Sequence, residues 1–171
     1  NYDGLDGSTI ADVIMVNENN DPPGLLVEVL SETNNTSEEG ASVTIGFKLS
    51  TLPESDVTMA LSLSDPEEGL LSNESVVIAK ESWDDYYAHT VIITGLDDSE
   101  MDGDMAYNLI TGEVTSEDVD YDSLEGDDIA DVALINTDNE RDSDDDGIED
   151  TIDNCPETAN ANQADLDGDG I

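Results

Sequence analysis

Carboxylates stand at positions 1, 3, 5, 9 and 12 of the stretch Asp142-Ser143-Asp144-Asp145-Asp146-Gly147-Ile148-Glu149-Asp150-Thr151-Ile152-Asp153, with Gly147 at position 6 and the Ile148 carbonyl at position 7. That is the oxygen spacing by which a tight loop wraps a hard cation: glycine permits the turn and position 12 closes the shell. The ligand set read from it is Asp142, Asp144, Asp146, Ile148 through its carbonyl, Asp150 and Asp153. Calcium (Ca2+) suits such a set better than magnesium, which retains more water and takes fewer carboxylates. The pattern restarts at Asp165, Asp167 and Asp169, followed by Gly170. A helix-flanked loop site is disfavoured, because Asn154-Cys155-Pro156 follows at once and proline opposes a continuing helix. The plainer alternative is a solvated acidic linker, against which stand the regular spacing and the partial second copy.

The rest of the chain must position or neutralise these charges. Its 171 residues hold 45 Asp and Glu against 3 Lys and Arg, for a formal charge of -42. Binding to nucleic acid or to anionic lipid needs clustered cations, and Lys48, Lys80 and Arg141 supply none. Self-repulsion at this density calls for bound cations or high salt. No run approaches the roughly 20 apolar residues that cross a bilayer, and the first residues lack the pattern of a secretory signal. A single cysteine, Cys155, excludes an internal disulfide.

Apolar residues make up 36% of the chain and fall in short runs of period near two, the mark of half-buried strands. Strands are expected at Leu25 to Leu30, Ser42 to Leu49, Val57 to Leu63, Ser75 to Ala79, His89 to Ile93, Met105 to Thr111 and Ile129 to Asn136. Seven strands without an amphipathic helix predict an all-β, antiparallel β-sandwich over residues 21–140. Phe47, Trp83 and the tyrosines are read as its packing. Residues 2–13 repeat residues 121–132, an offset of 119, so residues 1–20 read as the terminal strand of a preceding unit or as a donor strand. From Arg141 to Ile171 the apolar runs vanish, and that segment has to be disordered or folded around metal.

Successive antiparallel strands reverse direction, so the loops after the first, third, fifth and seventh expected strands share one end. They carry Glu38 and Glu39; Asp65, Glu67 and Glu68; Asp97, Asp98, Glu100 and Asp102; and Asp138 with Glu140. Four acidic loops converging without a cation would repel, so a second metal region is expected there, with Glu38, Glu39, Asp97, Asp98, Asp102 and Asp138 as ligands. Asp84, Asp85, Asp118, Asp120 and Asp122 at the opposite end are read as solvated.

The tail from Asp142 through Asn154-Cys155-Pro156, Asn160, Gln163 and Asp165-x-Asp167-x-Asp169-Gly170 resembles a thrombospondin type 3 repeat. That resemblance implies a cable of calcium loops with little secondary structure, clamped by paired cysteines. Ser37-Glu38-Glu39-Gly40, Thr51 to Val57, Ser64 to Gly69, Ile93 to Asp98, Asp102-Gly103-Asp104 and the closing Val132 to Asn139 strand are similar to bacterial Calx-beta-like repeats. This second resemblance implies an immunoglobulin-like sandwich able to bind calcium at one end, in arrays on secreted or surface proteins.

No enzyme is expected. His89 is the single histidine and sits in a strand pattern, Cys155 lies among carboxylates that raise a thiol pKa, and no Ser-His-Asp or phosphate-loop pattern occurs. Asn34, Asn35 and Asn73 begin Asn-x-Ser/Thr triplets. The expected function is a non-catalytic, extracellular or cell-surface calcium-binding repeat segment that builds a rigid stalk, adhesin or fibre. Its expected partners are neighbouring repeat units or identical subunits, and a surface, carbohydrate or protein receptor. The alternatives are a filament subunit joined by strand complementation, motivated by the copied strand at Ile10 to Val16, and an accessory module of a secreted hydrolase.

Overall fold

The computed structural model describes residue 15 and residues 21–164. The copied strand at Ile10 to Val16 lies outside the described residues apart from Met15, which is 87% exposed.

Alternation makes strands because every second side chain faces the same way. In β3, Ser42–Leu49, it sends Val43, Ile45, Phe47 and Leu49 inward, and all four are buried. β1 (Leu25–Val29), β3, β7 (Thr90–Gly95) and β5 (Gly69–Leu71) form a four-stranded sheet in the order β1-β3-β7-β5. β2 (Asn35–Ser37), β9 (Val132–Thr137), β8 (Met105–Ser116), β4 (Val57–Leu63) and β6 (Ser75–Ile78) form a five-stranded sheet in the order β2-β9-β8-β4-β6. One core is shared between them: Ile45, Phe47 and Ile93 come from the first sheet, and Met59, Ile78, Tyr107, Leu109 and Leu134 from the second. Each such fully buried side chain is worth roughly 1.5–3 kcal/mol of transfer free energy. The chain is therefore all-β, with two sheets packed in a sandwich-like arrangement and, among the described residues, one short α-helix, α1 (Val119–Asp122), and three single-turn 3-10 helices.

Several expected strands differ from those formed. β2 and β5 have three residues each, too short to show a period, and were not anticipated. β2 pairs parallel to β9, with Asn35 opposite Ile135 and Ser37 opposite Thr137, which corrects the wholly antiparallel expectation. β8 runs past Thr111 to Ser116, because a register shift between Met59 and Leu61 of β4 absorbs the irregularity at Gly112. β9 starts at Val132 instead of Ile129, the preceding Gly126–Asp128 forming a 3-10 turn. β7 starts after His89, which is buried with its Nε2 3.0 Å from both the hydroxyl and the carbonyl of Ser82.

The two short strands leave the direction of the chain unchanged. A tight turn joins β2 to β3, with Ser37 bridging Ala41 in antiparallel fashion, so β2 continues the direction of β1 while crossing to the other sheet. β5 and β6 are related in the same way, both running opposite to the strands β7 and β4 that they flank. The loops after β2, β4, β7 and β9 consequently emerge at one end. At that end β7 approaches β2 and β9 so closely that a Cβ on Gly95 would collide with the Ser37 carbonyl and the Asn136 side chain, a position open only to glycine.

Candidate metal centre

Three groups of carboxylates converge among the described residues: Glu38 with Asp97 and Glu140, Glu68 with Asp98 and Asp102, and Asp142 with Asp144 and Asp146. In each group one oxygen per residue lies within 4.8 Å of the others. The first two groups occupy the end where the four acidic loops meet, and the third lies just beyond it in the chain.

The parallel β2–β9 pairing builds the first group, since Glu38 leaves β2 beside the exit of β9 and its N–H donates to the Thr137 carbonyl at 3.1 Å. Glu38 is only 7% exposed. Its Oε2 accepts from the backbone N–H of Asn139 at 3.0 Å and from Asn139 Nδ2 at 3.3 Å, and the same Nδ2 donates to Asp97 Oδ1 at 3.0 Å. Glu140 Oε2 is shielded from water and accepts nothing among the described residues. A carboxyl hydrogen bond with Glu38, burial, and the charges of Glu38 and Asp138 push the Glu140 carboxyl up to about 7. Three carboxylates this close repel one another unless a proton or a cation stands between them.

Glu68 anchors the second group at the start of β5 and is 6% exposed. Burial pushes its carboxyl up; the hydrogen bond from Asn136 opposes this, and the charges of Asp102, Asp65 and Asp98 add to it. Asp98 Oδ1 accepts from the Glu100 N–H at 2.7 Å, which holds the loop compact. Asp138 belongs to neither group: its oxygens accept from the N–H of Gly103 at 2.8 Å and of Glu140 at 2.7 Å. Glu39 is exposed and likewise outside both. Glu68 and Glu140, acidic loop residues outside the predicted ligand set, take the central places. The bridging amides of Asn136 and Asn139 carried no signal in the sequence, because asparagine is common at strand ends and turns.

In the third group the turn is made by Asp145 and Gly147, with φ of 59° and 87°. Asp142 Oδ2 accepts from the Gly147 N–H at 2.8 Å, and this bond is the main reason its carboxyl sits below the ordinary range. Asp146 ties two turns together, accepting from the N–H of Ile148 at 3.0 Å and of Asn160 at 2.5 Å. Both oxygens of Asp144 are shielded from water without a hydrogen bond among the described residues, as is Asp153 Oδ2. Burial, then the charges of Asp146 and Asp153, raise the Asp144 carboxyl. Asp150 faces another way: Ser143 donates to it through N–H at 2.8 Å and Oγ at 2.7 Å, and Arg141 Nε lies 3.5 Å from Oδ2. Those contacts lower its carboxyl and make it a clasp on the loop. The Ile148 carbonyl accepts no hydrogen bond from the described residues. Asp165, Asp167 and Asp169 lie outside the described residues.

At the opposite end the acids cap turns. Asp85 accepts from the Tyr87 N–H, Asp118 from those of Asp120 and Glu54, and Asp122 from that of Ser116.

No protein-family model matches the chain, and no curated protein does. Among solved structures it is similar to WR4, an MSP family member of C. elegans, at 12% identity and a TM-score of 0.39. That match covers 66% of this chain and 96% of the other.

Proposed function

We propose that this chain is a non-catalytic, extracellular calcium-binding repeat segment, in which cations at one end of a Calx-beta-like, immunoglobulin-like sandwich and in a thrombospondin type 3-like tail stiffen a stalk, adhesin or surface fibre. The observation that carries the reading is the set of shielded carboxylate oxygens on Glu140, Asp144 and Asp153 that accept no hydrogen bond among the described residues. Burying an ionised oxygen without a donor is costly, and a hard cation is the partner that removes the cost. Asp142 and Asp146 hold the tail loop through backbone N–H groups while leaving Asp144 and Asp153 for an ion. Metal binding then supplies the folding free energy that residues 141–164 cannot obtain from an apolar core.

Isothermal titration of the 171-residue chain with calcium and with magnesium tests this. Several calcium ions per chain, bound in preference to magnesium, are expected, together with a lost site in Asp144→Asn. Proteolysis of residues 141–164 that is equally slow with calcium and after its removal would refute the reading.

A second reading, a filament subunit joined by strand complementation, has one observation in its favour. A groove of about 470 Å³ opens between the free edge of β1 and the first half of β9, lined by Leu25, Leu26, Val27, Ala130, Val132 and Ala133. Electron microscopy of the purified chain separates the readings, since the subunit polymerises and the array segment stays monomeric.

A further inference from the structure

We propose that Gln163 is a positioning residue for the Asp142–Asp144–Asp146 loop, its amide holding one oxygen of Asp153 so that the other joins Asp144 at a calcium ion. This role rests on the calcium reading of the tail and deepens it: the binding unit is the loop together with the turn that follows, residues 142–163.

Asp153 stands at position 12 of the loop, where a ligand closes the shell. Its Oδ1 accepts from the Cys155 N–H at 2.9 Å and from Gln163 Nε2 at 2.7 Å. Its Oδ2 is shielded from water and accepts no hydrogen bond among the described residues, and the same holds for both oxygens of Asp144. The two carboxylates are close enough for the charge of Asp153 to act on Asp144. A backbone N–H can only donate, so the Gln163 atom 3.0 Å from the Asn154 N–H is Oε1, which leaves Nε2 for Asp153. A ring of amides fixes Gln163 in that pose. Its Nε2 also donates to Asn160 Oδ1 at 3.3 Å, Asn160 Nδ2 donates to Asn154 Oδ1 at 2.7 Å, and Asn154 Nδ2 donates to the Gln163 carbonyl at 3.4 Å. The backbone of Gln163 has a φ of 52°, a left-handed conformation that glutamine seldom adopts and that these bonds must hold. The turn secures a second loop carboxylate as well, since the Asn160 N–H donates to Asp146 Oδ2 at 2.5 Å.

Without an ion, Asp144, Asp146 and Asp153 repel one another, and a free carboxylate would rotate out into water. Donors behind Asp146 and Asp153 hold them in place beforehand, so less ordering remains to be done when calcium arrives. A donor also draws some charge from Asp153, which by itself weakens the pull on a cation. That drain falls on the oxygen turned away from the ion, where the Cys155 N–H already sits, whereas release of Asp153 would remove a whole ligand. Orientation therefore outweighs charge, and loss of the Gln163 amide weakens calcium instead of strengthening it.

Calcium chloride titration of the full chain by calorimetry tests the assignment, with Asp144→Asn marking the tail site. Gln163→Met keeps the length of the side chain and removes its donor; it is expected to weaken calcium about tenfold at the Asp144-dependent site, the size of a lost hydrogen bond to a charged group. Europium luminescence lifetimes in water and in heavy water count the waters on an ion at that site, and Gln163→Met is expected to add about one, in the place Asp153 vacates. Asn160→Ala is the control for a merely structural turn. It deletes the Asn160 side-chain bonds to Asn154 and Gln163 but spares Asp153 and the N–H on Asp146, so it is expected to lose less affinity and to add no water. Calcium affinity of Gln163→Met within twofold of wild type, or tighter, overturns the assignment. So does an equal loss in Gln163→Met and Asn160→Ala with no added water in either. If Asp144→Asn alters no calcium binding, the metal reading of the tail fails first and the role of Gln163 falls with it.

Discussion

Replacing Glu140 by glutamine isolates the junction carboxyl that sits up at about 7. The ordinary value is 4.5, and the difference arises from the Glu38 carboxyl first, then burial, then the charge of Asp138. A folded-state pKa above the unfolded one means that the native protein binds more protons at intermediate pH. The metal-free protein is therefore favoured below the unfolded value and loses that advantage as pH climbs through about 7. Calcium must displace the same proton, so its affinity runs the opposite way and rises with pH over the same window. With one proton displaced, about a tenth of Glu140 is ionised at about pH 6, and affinity at this site drops roughly tenfold from its plateau at about pH 8. Calorimetric titration at the two pH values, with thermal unfolding of dialysed metal-free protein, reads both effects. Wild type is expected to lose about tenfold in affinity, whereas Glu140→Gln loses most of that pH dependence and melts at nearly the same temperature across the window. A glutamine variant with a pH dependence as steep as wild type refutes the assignment of the proton to this pair.

Other consequences are quickly checked. Phe47→Ala removes a fully buried ring between the sheets and is expected to cost about 3–5 kcal/mol in denaturant unfolding, calcium present or absent. Gly95→Ala drives a methyl group into the Ser37 carbonyl and Asn136; a loss of about 1–3 kcal/mol is expected, with the β2–β9 amides becoming the first to exchange with solvent. Asp150→Asn loosens the clasp made by Ser143 and Arg141 but leaves the Asp142–Asp144–Asp146 group in place, so it is expected to weaken calcium at the tail at least about tenfold less than Asp144→Asn does in the same titration.

The strands with a clear two-residue period were legible to the residue: β3 and β4 run over the expected Ser42–Leu49 and Val57–Leu63. β2 and β5 were not, because three residues carry no period and their pairing depends on which sheet the chain crosses into. The parity argument for the acidic end survived this omission for a physical reason. Each missed strand prolongs its neighbour in the same direction, so the loops carrying Glu38, Glu68, Asp97 and Glu140 still meet. What spacing could not supply was the aim of individual side chains. Asp138 and Asp150 have oxygens committed to nearby N–H groups, while Glu68 is held by Asn136 and Glu38 by Asn139, asparagines that look unremarkable in the sequence.

The parallel contact of β2 with β9 bears on how such a segment would respond to force. Among the described residues one strand belongs to the first passage of the chain through the fold and the other is the last, so pulling residues 21 and 164 apart slides them lengthwise past each other. The bonds between Asn34 and Ile135, and between Glu38 and Thr137, then stretch together instead of opening one after another like a zip. Asn139 on Glu38 lies in the same line of tension, at the place where the first carboxylate group gathers. A cation seated there would act as a rivet across the two strands that must separate first, and rupture force in single-molecule stretching would become a direct readout of its occupancy.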